Sequence, residues 1–579
     1  MRLRLALATI LAICVLAPVG GGSVPERARD GMVASQNAIA SAVGADVLAE
    51  GGTAVDAAVA TAFALAVTHP TAGNIGGGGF ILYRPASGPA EAYDFREMAP
   101  AAATPTMFLK DGKYDEDLHH NSHVAVGVPG TVAGLHLAWR EQGKLPWRRL
   151  VEPAIALARD GFVVTHGLAR SLASILPEMT KYPASLAQFS KDGTPYEPGE
   201  VLKQPDLART LERIATNGPA GFYEGETAAL IAKEMAANGG LITRDDLKNY
   251  RAKKRIPLRG TYRGYEILGM PPISSGGTAV IQMLNILEGY DLKKSGFGSA
   301  DTIHVMTEAM RRAYADRARY IGDPDFVPAM PIERLTSKAY AESLRKTISP
   351  DRASKSSPDS FEWPVESQET THLSVVDRDR NAVALTYTLE YGYGSRIVVP
   401  GAGFLLNNEM GDFNAGPGLT SADGLIGTEP NLAQPRKRMI SSMTPTIVSR
   451  DGSLVMVTGS PGGRTIINTV LQTIVNVIDH GMNVQEAIDA PRFHHQWLPD
   501  RINYERFGFS PDTIALLERR GHATRQIGSQ GVAEAIAVDP KAKVLEAGVD
   551  RRAPDGGAAG VPRMSEPPAE VDHRKRDDG

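Results

Sequence analysis

The chain has almost no cysteine. Its single thiol, Cys14, falls in an apolar run at residues 5–16 that follows Arg2 and Arg4 and precedes small residues at 20–22. Basic, then apolar, then small is the order of a secretory signal peptide, expected over residues 1–22. With that segment removed, the protein has neither a disulfide nor a thiol nucleophile. Lipid attachment at Cys14 is disfavoured by the bulky Ile13 before it. Long apolar runs are also missing: the signal's run is about 12 residues, where a bilayer span needs roughly 20. The expectation is an exported protein, periplasmic or extracellular, with no membrane span. A strong charge of one sign is lacking too. The formal charge of −4, less the two arginines of the signal, becomes −6, which argues against nucleic-acid or anionic-membrane partners. At 42% hydrophobic and 22% charged residues, with no repeat at solenoid or propeller period, the remainder is an ordinary globular chain suited to a small substrate.

Several familiar site patterns are incomplete. Gly76-Gly77-Gly78-Gly79 has Ile81 where a G-x-G-x-x-G register needs its last glycine, and no Gly-Lys-Ser/Thr follows. Tight backbone packing accounts for it better than a phosphate does. Ser460 is not a serine-hydrolase elbow, since Thr458 stands where glycine is required. His494 and His495 are adjacent, so on a strand they point apart, and no carboxylate at ligand spacing joins them. Neither a metal nor a cofactor is expected.

What is present is a threonine in a telling place. Residues 373–377 suit a strand, Arg378-Asp379-Arg380-Asn381 are turn formers, and residues 382–389 are rich in β-branched side chains, so a hairpin is expected. Counting back from its turn puts Thr388 within about one residue of Thr370 across the ladder. A threonine hydroxyl needs a base beside it, and a threonine that begins a chain can use its own α-amino group, which titrates near ~7.7 to 8. That requires the bond between Glu369 and Thr370 to be cut. The segment before it, residues 350–369, is rich in Ser, Pro, Asp and Lys and reads as a surface linker. On these residues alone, a plain strand carrying hydroxyls is the simpler account.

The surroundings change that account. Thr370-Thr371-His372-Leu373-Ser374-Val375-Val376-Asp377, Leu406-Asn407-Asn408-Glu409-Met410-Gly411-Asp412-Phe413, Ser441-Ser442-Met443-Thr444-Pro445-Thr446 and Thr458-Gly459-Ser460-Pro461-Gly462-Gly463 resemble, in order and spacing, the γ-glutamyltranspeptidase family of N-terminal nucleophile hydrolases. Upstream, Asp94-Phe95-Arg96-Glu97 continues the likeness, which covers residues 31–552. The resemblance implies an α+β fold, a four-layer αββα sandwich made from a self-cleaved large part, residues 23–369, and a small part, residues 370–579. It implies Thr370 as nucleophile, Thr388 orienting it, and backbone N–H groups of Gly462 and Gly463 as an oxyanion hole. Arg96 would clamp a substrate α-carboxylate with help from Ser441 and Ser442, and Glu390, Glu409 and Asp412 would hold the α-ammonium. Glu390 and Glu409 depart from members that carry amides there. Glutathione and other γ-glutamyl compounds are the expected donors, with water, amino acids or peptides as acceptors. A glutaryl or cephalosporin acylase, and an unprocessed binding protein for γ-glutamyl compounds, are the rivals.

The rest of the chain reads as scaffold. Residues 32–67 show helical spacing broken at Glu50-Gly51-Gly52, with Thr53 as a helix cap. Residues 414–438 look like a lid, with Ala422-Asp423-Gly424 where several lid-bearing members have an aromatic gate. The Pro-, Gly- and charge-rich tail after about residue 553 is expected to be disordered.

Overall fold

A computed structural model describes residues 23–357, 370–419 and 427–561. The expected signal, Glu369 before the expected cleavage point, Ala422-Asp423-Gly424 and the last 18 residues lie outside them.

Two seven-stranded sheets form the centre. In the first, the hairpin Thr371–Asp377 and Ala382–Thr388 is flanked by Gly31–Ser35 on one side and Gly78–Arg84 on the other, every pair antiparallel. All residues of these four strands are buried, which is why none shows an alternating pattern. In the second sheet, Ser453–Gly459 lies between Thr446–Arg450 and Glu534–Asp539. Helices cover the outer faces. Ala54–Thr68, buried along its whole length, starts from a capping box of Thr53 and Asp56 and packs on the first sheet. Gly276–Leu287 and Thr465–Ile478 cover the second. The result is the αββα sandwich.

Three local readings change. Residues 32–35 are not helical but form the strand Gly31–Ser35; a fully buried strand is an apolar run, indistinguishable from helix by periodicity. The helix begins only at Ala38, where Asn37 accepts hydrogen bonds from the N–H groups of Ile39 and Ala40. The tail expected to lack structure after about residue 553 supplies the edge strand Gly557–Gly560, paired with residues 32–35. Its glycines fit close approach: a Cβ on Gly557 would lie 2.6 Å from that of Ala38. The start of the linker is tied down, since Ser354 N–H donates to Glu308 and Ser356 N–H to Asp500.

Candidate active site

Thr370 stands at the head of the strand Thr371–Asp377, opposite Thr388, because Thr371 pairs with Tyr387. The Thr370 hydroxyl donates to Thr388 Oγ1 at 3.4 Å, and that oxygen also accepts the Glu390 N–H at 2.8 Å. Glu390 takes a left-handed backbone, φ 78°, which turns the chain sharply after the strand. Beneath, Asn74 Nδ2 donates to the Thr388 carbonyl at 2.9 Å. The glycine run packs here: a Cβ on Gly77 would sit 2.0 Å from that same carbonyl oxygen. Behind the hydroxyl pair, His372 bridges Thr386 and Ser374 and packs on Gly459, so the strand that Thr370 heads and the strand leading to the glycine turn are in direct contact.

A small, partly open cavity gathers Arg96, Thr370, Thr388, Glu390, Glu409, Asp412, Ser441, Ser442 and Gly463, together with Met443 and Ile466. Gly462, the residue before Gly463 in the turn, borders a neighbouring cleft. Arg96, fully buried, is ion-paired with Glu409 and Asp412 and lies 3.4 Å from Glu97. Its remaining N–H groups donate to the carbonyls of Met439 and Ile440. An α-amino acid carries its ammonium and carboxylate on one carbon, so the complementary guanidinium and carboxylates must be adjacent, as they are. Burial pushes the Glu409 carboxyl well above the usual carboxylate range against the pull of Arg96, and raises Glu97 to about 7 for the same reason.

Several neighbours escaped the sequence reading. Glu97 was visible only as the end of the Asp-Phe-Arg-Glu motif. Nδ1 of His120 lies 3.1 Å from Glu390 Oε1, and its ring stacks on Tyr391. Arg317, on the helix Ala300–Tyr320, donates to Ser442 Oγ at 3.0 Å and to Ser275 at 2.7 Å, placing a second cation behind the serines. No local signal marks the pairs His120–Glu390 and Arg317–Ser442, whose members are 270 and 125 residues apart. Among the described residues, His304, Glu308 and His522 could be considered for a metal. The two rings hydrogen-bond each other and Glu308 is paired with Arg311 and Arg312, a poor setting for a cation. His494 and His495 bond Asn468, Gln496 and Asp500.

A threonine heading a strand of an αββα sandwich, beside a two-glycine turn, defines an N-terminal nucleophile hydrolase. The chain matches the γ-glutamyltranspeptidase family over residues 40–560. It is 52% identical to a glutathione hydrolase proenzyme of Escherichia coli (strain K12), over 93% of each chain. Among solved structures, it resembles a cephalosporin acylase from Bacillus halodurans, with TM-score 0.82 at 28% identity over 95% of this chain and 99% of that one. It also resembles the Helicobacter pylori γ-glutamyltranspeptidase, with TM-score 0.54 at 47% identity over 55% of this chain and 91% of that one. The chain belongs to the γ-glutamyltranspeptidase family.

Proposed function

We propose that the protein is an exported γ-glutamyltransferase and glutathione hydrolase, activated by its own cleavage between Glu369 and Thr370. The observation that carries this reading is the pairing of Arg96 with Glu409 and Asp412 in the same cavity as the Thr370–Thr388 hydroxyl pair. Arg96 and the serines hold the donor's α-carboxylate, with Arg317 adding positive potential behind Ser442. Asp412, Glu409 and Glu390 hold its α-ammonium. The freed α-amine of Thr370 takes the hydroxyl proton as Oγ1 attacks the γ-carbonyl carbon, and the N–H groups of Gly462 and Gly463 receive the oxyanion. Collapse breaks the C–N bond as the Thr370 ammonium returns that proton to the leaving nitrogen, which departs as an amine and leaves a γ-glutamyl ester on Thr370 for water or an acceptor amine to take. The large and small parts of one precursor remain together as a heterodimer.

A glutaryl group lacks the ammonium, so the acids around Arg96 would gain no second cation on binding it; this disfavours the acylase reading. A denaturing gel tests the activation step. Residues 370–579 correspond to about 22 kDa and residues 23–369 to about 37 kDa of the 61.9 kDa chain. Active protein should show both pieces, and Thr370→Ala should stay whole and inactive. Activity from a single intact band refutes the mechanism, and an inactive, uncut wild type favours the binding-protein alternative.

A further inference from the structure

Glu390 enters the catalytic cavity from the left-handed residue, φ 78°, that turns the chain after the strand Ala382–Thr388. A glutamate side chain has three torsions, and holding them in one geometry costs rotamer entropy unless a partner fixes its head. His120 is such a partner. Its Nδ1 lies 3.1 Å from Glu390 Oε1, across 270 residues of sequence, and both side chains are buried. His120 ends the helix Glu116–His120, before the proposed cut, and Glu390 comes after it.

His120 is itself held in place. Its carbonyl accepts Asn408 Nδ2 at 3.0 Å, while Asn408 Oδ1 accepts the Tyr391 N–H at 3.1 Å. The His120 and Tyr391 rings, tied in this way to one asparagine, lie parallel within 2° with centroids 5.1 Å apart. Gly411 packs against both members of the pair. A Cβ there would sit 2.3 Å from His120 Nδ1 and 2.5 Å from Glu390 Oε1, so the missing side chain is what lets the two meet.

The contact has a direction. Burial lowers the His120 imidazole to about 4, so at neutral pH the ring is uncharged and one nitrogen carries its hydrogen. Beside a carboxylate that nitrogen is Nδ1, because the other tautomer would set a lone pair against an anion. The Nδ1–H therefore donates to Oε1. A neutral donor fixes a carboxylate without cancelling its charge, and a carboxylate has about four lone-pair sites, so this hold leaves Glu390 able to accept from an ammonium. Arg96, which holds Glu409 and Asp412, does so as a cation.

We propose that His120 is a positioning residue for donor recognition: its Nδ1–H fixes the Glu390 carboxylate toward the α-ammonium of the γ-glutamyl group. The assignment rests on the reading of the site given above. It makes a short helix outside both sheets a determinant of donor affinity.

The test uses the self-cleaved full-length enzyme and γ-glutamyl-p-nitroanilide. His120→Phe keeps a ring to stack on Tyr391 but has no N–H. His120→Asn loses the ring but carries an amide N–H the same number of bonds from the backbone as Nδ1. A positioning role predicts that His120→Phe raises the donor KM about tenfold with kcat little changed, and that His120→Asn stays within about threefold of wild type. A role in packing alone predicts the reverse order. In a Glu390→Ala background, where no carboxylate remains to be held, His120→Phe should raise KM no further. If His120→Phe does not self-cleave, His120→Leu, which also lacks the N–H, decides the matter. A KM within twofold of wild type for the variants without the N–H, a larger rise for His120→Asn than for His120→Phe, or an undiminished rise in the Glu390→Ala background overturns the assignment. If wild type shows no γ-glutamyl hydrolysis at all, it is the reading of the site that fails.

Discussion

Replacing Asp412 by Asn isolates one charge at the amino-acid end of the catalytic cavity. Asp412 has a side chain 13% exposed where that of Glu409 is 1%, so it is the acid of the Arg96 pair that reaches furthest toward a ligand. Asparagine keeps the volume and retains an oxygen for the Arg96 guanidinium, so the change is chiefly electrostatic. A hydrogen bond to a charged group is worth about 1.5 to 3 kcal/mol, and 1.4 kcal/mol is a factor of ten, so kcat/KM for a γ-glutamyl anilide should fall by about 10- to 150-fold. A glutaryl anilide presents no ammonium. For it, neutralising Asp412 removes an acid that has no ammonium to hold, so kcat/KM should stay unchanged or rise by up to about tenfold. The assay is release of p-nitroaniline from both substrates, with cleavage of the variant checked on a denaturing gel. If both substrates lose activity equally, Asp412 acts only by holding Arg96 in place. If the ratio does not move, the acids do not read the ammonium, and the assignment of the site is wrong.

The donor KM should depend on pH through the buried Glu97 and Glu409, whose carboxyls burial has raised, Glu97 to about 7. As pH falls through about 7 the pair gains a proton, the negative charge that draws the ammonium weakens, and KM rises. Glu409→Gln should flatten that curve while leaving the kcat limb set by the Thr370 α-amine near ~8; a KM profile identical to wild type refutes it. Gly411→Ala places a Cβ 2.3 Å from His120 Nδ1 and 2.5 Å from Glu390 Oε1, so it should part that pair. The expected result is intact self-cleavage with a donor KM raised by about tenfold, and a KM within twofold of wild type removes Glu390 from the ammonium site. Gly462 has φ 126°, and a Cβ there would meet Thr465 Oγ1 at 2.5 Å. Gly462→Ala should therefore misalign the turn and cut kcat by roughly 100- to 1,000-fold with donor KM little changed; near-normal kcat would show that the oxyanion lies elsewhere.

The hairpin that carries Thr370 and Thr388 was legible in the residues themselves, because turn formers and β-branched runs are local signals and register follows from counting away from the turn. The same holds for the Thr53 cap and the helix Ala54–Thr68 that it starts. The strand Gly31–Ser35 and the edge strand Gly557–Gly560 were not legible in this way. Complete burial erases alternation in the first, and in the second a Gly-Ala composition suited to close packing looks like that of a loose tail. The site was decided by tertiary structure in a stronger sense. Arg96 meets Glu409 and Asp412 across 313 and 316 residues of sequence. His120 meets Glu390, Arg317 meets Ser442, and the cleft beside Gly462 collects Gln36 and Gln530 from opposite ends of the chain. Local periodicity records which side of an element is buried, whereas the partner buried against it is set only when distant elements pack. Charge complementarity, which depends on distances of a few ångströms, is therefore settled at that stage.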